Sequence, residues 1–192
     1  MQYVLASASP RRKQLLSELI TDFEVIPSLA DESKQKADSP KALVAELAKL
    51  KASEVAFRPE NEGKIVIGSD TVVAFEGNVL GKPVDEADAF RMLKLLSGNK
   101  HTVYTGVCVI RVKGGKAQTI VDVDGTDVYF EELSDEWIRS YILSGSPMDK
   151  AGAYGIQDGG LVKRIEGSYT NVVGFPVKLF KKILEQVEKE WR

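Results

Sequence analysis

The chain reads as an α/β protein built on a central sheet. Short apolar runs of strand length alternate with segments whose apolar residues recur at helical spacing, and two long β-rich segments flank a Gly-Gly turn. At 192 residues the whole chain, 1–192, fits one domain with length enough to bury a substantial core.

In order along the chain, Tyr3-Val4-Leu5-Ala6 reads as a strand, and Ser9 as the N-cap of a helix with Pro10 as its first residue and Leu15, Leu16 and Leu19 as apolar content. Phe23 to Pro27 reads as a second strand. The polar stretch Asp31 to Asp38 follows as the expected mobile loop. Ser39-Pro40 opens a helix with Leu43, Val44, Leu47 and Leu50 on one side. Lys64 to Ile67 is a compact β-rich run between Gly63 and Gly68. Thr71 to Phe75 continues extended to the turn Glu76-Gly77-Asn78, and a hairpin or a bent strand fits both.

Asp85 caps a helix with Phe90, Leu93 and Leu96 facing inward, and Gly98 ends it. Thr102 to Val112 and Ala117 to Val128 form a hairpin around Gly114-Gly115. Ser134 caps a helix carrying Trp137, Ile138, Tyr141 and Ile142. Leu161 to Ile165 and Tyr169 to Val173 read as further strands. Pro176 opens a terminal helix in which Val177, Phe180, Ile183, Leu184 and Val187 form the apolar stripe, with Lys178, Lys181 and Lys182 in water.

Composition excludes several classes of function. With 26 basic and 28 acidic residues the net charge is −2, so no global field draws in nucleic acid or an anionic membrane, and any attraction for phosphate is local. The single cysteine, Cys108, lies in an apolar strand and permits neither an intrachain disulfide nor a multi-cysteine zinc site. The N-terminal apolar run is too short for a signal peptide, and nothing approaches the roughly 20 apolar residues of a membrane span. The expectation is a cytoplasmic protein. There is no Walker A string and no G-x-G-x-x-G fingerprint.

Four segments carry residues suited to chemistry. Ser7-Ala8-Ser9-Pro10-Arg11-Arg12 places two guanidinium groups beside free helix N-terminal amides, which is either an anion site or a capped surface helix with solvated arginines. Gly68-Ser69-Asp70-Thr71 puts a carboxylate at the expected end of a core strand. There it binds a metal, activates water, or merely closes an Asx turn. Gly81-Lys82-Pro83 presents a lysine on a stiff turn as a point charge for phosphate. The glycine-marked stretch Met148 to Gln157 ends in an amide able to read a base edge or, equally, to stand exposed in a turn. His101, the one histidine, has no metal-ligand or triad partner in sequence and reads as a structural hydrogen-bonding residue.

These strings, with Leu96-Ser97-Gly98, His101 to Val107, Lys150 to Gln157 and Asn171-Val172-Val173-Gly174-Phe175-Pro176, keep their order over nearly the whole chain, which closely resembles the Maf family. The resemblance implies an elongated mixed α/β sheet with flanking helices, related to inosine triphosphate pyrophosphatases, with two lobes around a cleft. It implies hydrolysis of nucleoside triphosphates to the monophosphate and pyrophosphate with a divalent cation, Mg²⁺ or Mn²⁺. Asp70 would be the proton acceptor, and Arg12, Thr71 and Gln157 would affect substrate choice. Ser7, Arg11, Glu32, Lys51 and Lys82 would line the phosphate and metal site.

On its residues alone Lys51 is a snorkelling lysine at the border of an apolar helix face, and Glu32 is one acid among several. Glu32 is the candidate principal metal carboxylate, since metal on Asp70 would compete with its role as base. Ser69, where the family more often has Ala, is expected to add a hydroxyl beside Asp70. The string Lys150 to Gln157 is similar to that of the branch preferring dTTP and UTP, which implies a house-cleaning role that extends to modified pyrimidine triphosphates. The alternative is a regulatory binding protein of cell division (septum inhibition) with nucleotide as ligand. A homodimer is plausible on the same resemblance, with Trp137, Trp191 and the terminal helix as a conceivable apolar patch.

Overall fold

The computed structural model describes residues 1–191. Its strands are β1 (Tyr3–Leu5), β2 (Glu24–Val25), β3 (Ile65–Phe75), β4 (Asn78–Leu80), β5 (Lys100–Lys113), β6 (Lys116–Phe130) and β7 (Val162–Glu166). The helices are α1 (Pro10–Ser17), α2 (Pro40–Ala56), α3 (Glu86–Leu96), α4 (Asp135–Leu143), α5 (Tyr169–Val173) and α6 (Val177–Glu190), and short 3₁₀ turns follow α4. One mixed sheet runs β2-β1-β3-β5-β6-β7, with β4 folded back on β3. No helix among the described residues is long and apolar enough to cross a membrane.

Serine and aspartate caps start the helices where expected. Ser9, Ser39, Asp85 and Ser134 each accept a hydrogen bond from the backbone N–H three residues on, which satisfies one of the free first-turn donors. The β5–β6 hairpin turns at Gly114-Gly115, where both residues have positive φ.

The apolar interior forms three clusters. Leu5, Ile67, Val107, Phe175 and Phe180 join α1 and α6 to one face of the sheet. Val4, Val66, Cys108 and Ile110 meet α2 on the other face. Val73, Val103, Val128 and Phe130 pack with α3 and α4 at the far end. Trp191 is buried in the first of these clusters and Trp137 packs against the third, so both tryptophans serve the chain's own core. Cys108 is wholly buried, and burial pushes its thiol up to about 12.

Several expectations need correction. The second strand shrinks to Glu24–Val25, whose side chains are exposed. Tyr169 to Val173 is a helix: Ser168 caps it by accepting from Asn171 N at 3.3 Å, and the turn carries Asn171 Nδ2 to Val103 O (2.9 Å) and Thr126 Oγ1 (3.0 Å). β3 is one continuous strand, so Asp70 lies within it and not at its end. The buried face of α2 runs through Val44, Leu47, Ala48, Ala52, Val55 and Ala56, while Leu43 and Leu50 are only half-buried.

Close approach explains that last shift. A Cβ on Gly68 would lie 2.3 Å from Ala48 O, and one on Gly106 would lie 2.3 Å from Val44 O. Asp70 pairs across the sheet with Gly106, so two glycines of neighbouring strands let α2 settle directly onto β3 and β5. Only small residues fit between backbones so near, which selects alanine over leucine on that face.

Candidate functional site

The central strand creates the site by changing partners. β3 pairs in parallel with β1 as far as Leu5↔Ile67, and antiparallel with β4 only from Val73↔Leu80 onward. Among the described residues the stretch 68–72 therefore has no strand on that edge, which is where a cleft forms in an open sheet. Asp70 and Thr71 sit in this window on opposite faces of the strand. The expected strand-end carboxylate is a mid-strand carboxylate at a gap in the sheet.

On the α2 face, Lys51 Nζ donates to Asp70 Oδ1 at 2.5 Å and lies 3.0 Å from Glu32 Oε2. Lys51 and Asp70 are both largely buried, whereas Glu32, from the loop before α2, is half exposed. The lysine is thus the hub of two carboxylates, and it reaches them because the glycine contacts above bring its helix down onto the strand. Ser69 does not stand beside Asp70. Strand alternation turns it to the opposite face, where its hydroxyl is buried without a partner among the described residues.

On the other face, Arg12 is clamped by three acceptors. Nε donates to Gly174 O (3.0 Å), Nη1 to Ser7 Oγ (3.3 Å) and Nη2 to Thr71 Oγ1 (3.1 Å). Thr71 Oγ1 in turn lies 3.0 Å from Thr105 Oγ1, which donates to Asn171 O at 3.0 Å. Burial lowers the Arg12 pKa, and the nearby Asp70 charge opposes that shift. Arginine stays protonated under any such shift, so this is a fixed cation held in one orientation.

Arg11, Arg12, Glu32, Lys51, Asp70, Thr71, Lys82 and Gln157 line one cleft of about 350 Å³, and Ser7 lines an adjoining hollow of similar volume. Lys82 and Gln157 are exposed, and neither makes a side-chain hydrogen bond or ion pair among the described residues. Arg11 spans the mouth to Asp149 Oδ2 (3.3 Å), and Lys150 meets the same carboxylate at 2.8 Å. Burial pulls the Asp149 pKa up, but the bond from Lys150 and the charges of Lys150 and Arg11 outweigh it and hold it low.

Asp149 and the Gly174 carbonyl went unassigned in the sequence, although both lie in the strings that stood out there. An acid beside the glycine-marked segment was the available signal for Asp149. Tyr154, which also lines the cleft, is backed by His101: its Oη and His101 Nε2 are 2.7 Å apart in the core, and burial lowers the histidine to about 4.

Asp70 and Glu32 offer two hard oxygen donors around Lys51 Nζ, and no group of three or more His, Cys, Asp or Glu forms a metal site among the described residues. That donor set fits a Mg²⁺-type ion, which takes one or two carboxylates and fills its shell with substrate phosphate and water. It does not fit a closed zinc cage. The arrangement as a whole places a carboxylate and several cations in one cleft of about 350 Å³.

The chain is similar to known proteins over nearly its whole length. A family model described as Maf-like protein matches residues 2–187. The dTTP/UTP pyrophosphatase of Thermococcus gammatolerans is 52% identical over 184 residues, covering 95% of each chain. That of Clostridium perfringens is 49% identical over 192 residues, covering 98% of each. Among solved structures, the Ham1 protein of Staphylococcus aureus superimposes with a TM-score of 0.56 at 16% identity, over 97% of this chain and 99% of that one. That likeness is one of fold, and it bears out the fold class expected.

Proposed function

The chain belongs to the Maf-like protein family, and from that premise we propose that it is a pyrophosphatase that hydrolyses dTTP and UTP to the nucleoside monophosphate and pyrophosphate with a divalent cation. The observation that carries the reading is the Lys51 hub. It holds Asp70 and Glu32 in a cleft that Arg11, Arg12, Lys82 and Gln157 also line.

Asp70 is the proton acceptor. Its Oδ1 is engaged by Lys51, which leaves Oδ2 for a proton of the attacking water. As the water oxygen bonds to the α-phosphorus, the bond from that phosphorus to the α,β-bridging oxygen breaks and pyrophosphate departs with the bond's electron pair. Arg11 and Lys82 stabilise the charge that collects on the leaving group, and Arg12, fixed by Ser7, Thr71 and Gly174, orients the phosphate chain. Glu32 would be the principal protein ligand of the divalent cation, which would supply charge neutralisation at the phosphates when bound and would leave Asp70 Oδ2 to the water. Gln157 reads the base edge.

Pyrophosphate release across UTP, dTTP, CTP, ATP and GTP, with Mg²⁺, with Mn²⁺ and with chelator, tests the proposal. UTP and dTTP are expected to be preferred, with activity lost in chelator. A purine preference, or release of orthophosphate, contradicts it.

A further inference from the structure

Gln157 by itself is a poor judge between pyrimidines. Its amide carries a donor and an acceptor and can turn over to present them in either order. Uracil and thymine offer an acceptor at O4 and a donor at N3, cytosine a donor at N4 and an acceptor at N3, and one setting of the amide suits each. No side-chain bond fixes Gln157 among the described residues, so discrimination has to come from groups of its segment that cannot turn over, the backbone N–H and C=O groups beside it, and hence from the setting of that segment.

That segment is tied at both ends to one side chain of α4. Tyr141 Oη accepts from Gly155 N at 3.1 Å and donates to Asp158 Oδ2 at 2.5 Å, bracketing Gln157. Ser146 Oγ donates to the same carboxylate oxygen at 2.7 Å, and Asp158 N closes the turn onto Gly155 O at 3.0 Å. A Cβ on Gly155 would lie 2.9 Å from Lys150 Cε and 3.0 Å from Asp158 Oδ2, so the loop is wrapped tightly around this carboxylate. Neither Tyr141 nor Asp158 lines the cleft, and Tyr141 is rooted in the core through its ring.

We propose that Tyr141 and Asp158 are positioning residues for base selection, holding the Gln157 segment in the one setting that matches the uracil and thymine edge and rejects cytosine. The inference rests on the pyrophosphatase reading of the cleft. Burial and the bond to Asp158 raise the Tyr141 pKa. Burial of Asp158 acts upward, but the bonds from Tyr141 and Ser146 outweigh it and keep its pKa low, so hydroxyl donor and carboxylate acceptor both persist at neutral pH.

The test compares Tyr141→Phe, which keeps the ring and removes the hydroxyl, with Asp158→Ala at an exposed position that does not endanger folding. The readouts are kcat/KM for UTP and for CTP, the inhibition constant of inorganic triphosphate, and Tm. Both variants are expected to lower the UTP-to-CTP ratio by about tenfold, the worth of one hydrogen bond to a charged acceptor. Inorganic triphosphate, which has no base, is expected to inhibit them as it inhibits the wild type. Asp158→Asn, which retains an acceptor for Tyr141, is expected to restore part of the ratio. An unchanged ratio in Asp158→Ala, or weakening of triphosphate binding in parallel with it, overturns the proposal while leaving the pyrophosphatase reading intact. A wild-type protein that does not prefer UTP to CTP overturns the proposal together with the dTTP and UTP preference it rests on, while pyrophosphate release still marks the cleft as a pyrophosphatase.

Discussion

The two walls of the cleft are built on opposite plans. On one, Arg12 is bonded to Ser7, Thr71 and Gly174, and Lys51 joins Asp70 to Glu32, so each functional group is held before any substrate arrives. On the other, Gln157 stands exposed without a side-chain partner among the described residues, and its order comes from the segment beneath it, which is tied to Tyr141. Every nucleoside triphosphate presents the same phosphate chain, so groups that meet it gain from fixed orientation and avoid reorganising during reaction. Bases differ, and the wall that meets them keeps its reading group on a segment whose setting can evolve without disturbing the chemistry.

The largest effect is expected where the fixed wall is cut at its hub. Lys51→Met leaves Asp70 and Glu32 facing each other without the intervening charge, and a fall in kcat of about 10²- to 10³-fold is expected, the range for removing one preorganised donor. Single-turnover kinetics on the folded variant checks it. An unchanged kcat would show that the wiring is structural only.

A second effect, on stability and not on turnover, is expected beneath the base wall, where His101 supports Tyr154. The histidine titrates at 6.5 when unfolded and about 4 when folded, so the unfolded chain binds the extra proton first. Its contribution is intact above pH 6.5 and is lost as pH falls towards 4, amounting to roughly 3 kcal/mol. Urea denaturation of wild type and His101→Gln at a series of pH values measures the difference, and the variant is expected to lack this part of the acid slope. Parallel slopes would place the histidine outside the stability of this wall.

Local chemistry was readable along the chain, and long-range placement was not. Ser9, Ser39, Asp85 and Ser134 cap helices because a side-chain oxygen three residues before an N–H is a local arrangement. Tyr169 to Val173 is rich in β-formers yet folds as a helix, because the Ser168 cap and the buried bonds of Asn171 to Val103 and Thr126 decide the matter from elsewhere in the fold. Leucine spacing placed Val44 and Leu47 of α2 correctly but missed Ala48 and Ala52, since what centres the buried face is the glycine pair at 68 and 106 on the strands it covers. The Lys51 to Asp70 contact depends on the same pair. Lys51 on its own is an ordinary helix lysine, and only the motif order across the chain marked it for the site.

The central claim is that the cleft directs water at the α-phosphorus of the nucleotide. Hydrolysis of UTP in ¹⁸O-labelled water, with the products resolved by mass spectrometry, tests it most directly. The account predicts the label in the nucleoside monophosphate and unlabelled pyrophosphate. Label in the pyrophosphate would mean attack at the β-phosphorus and would contradict it.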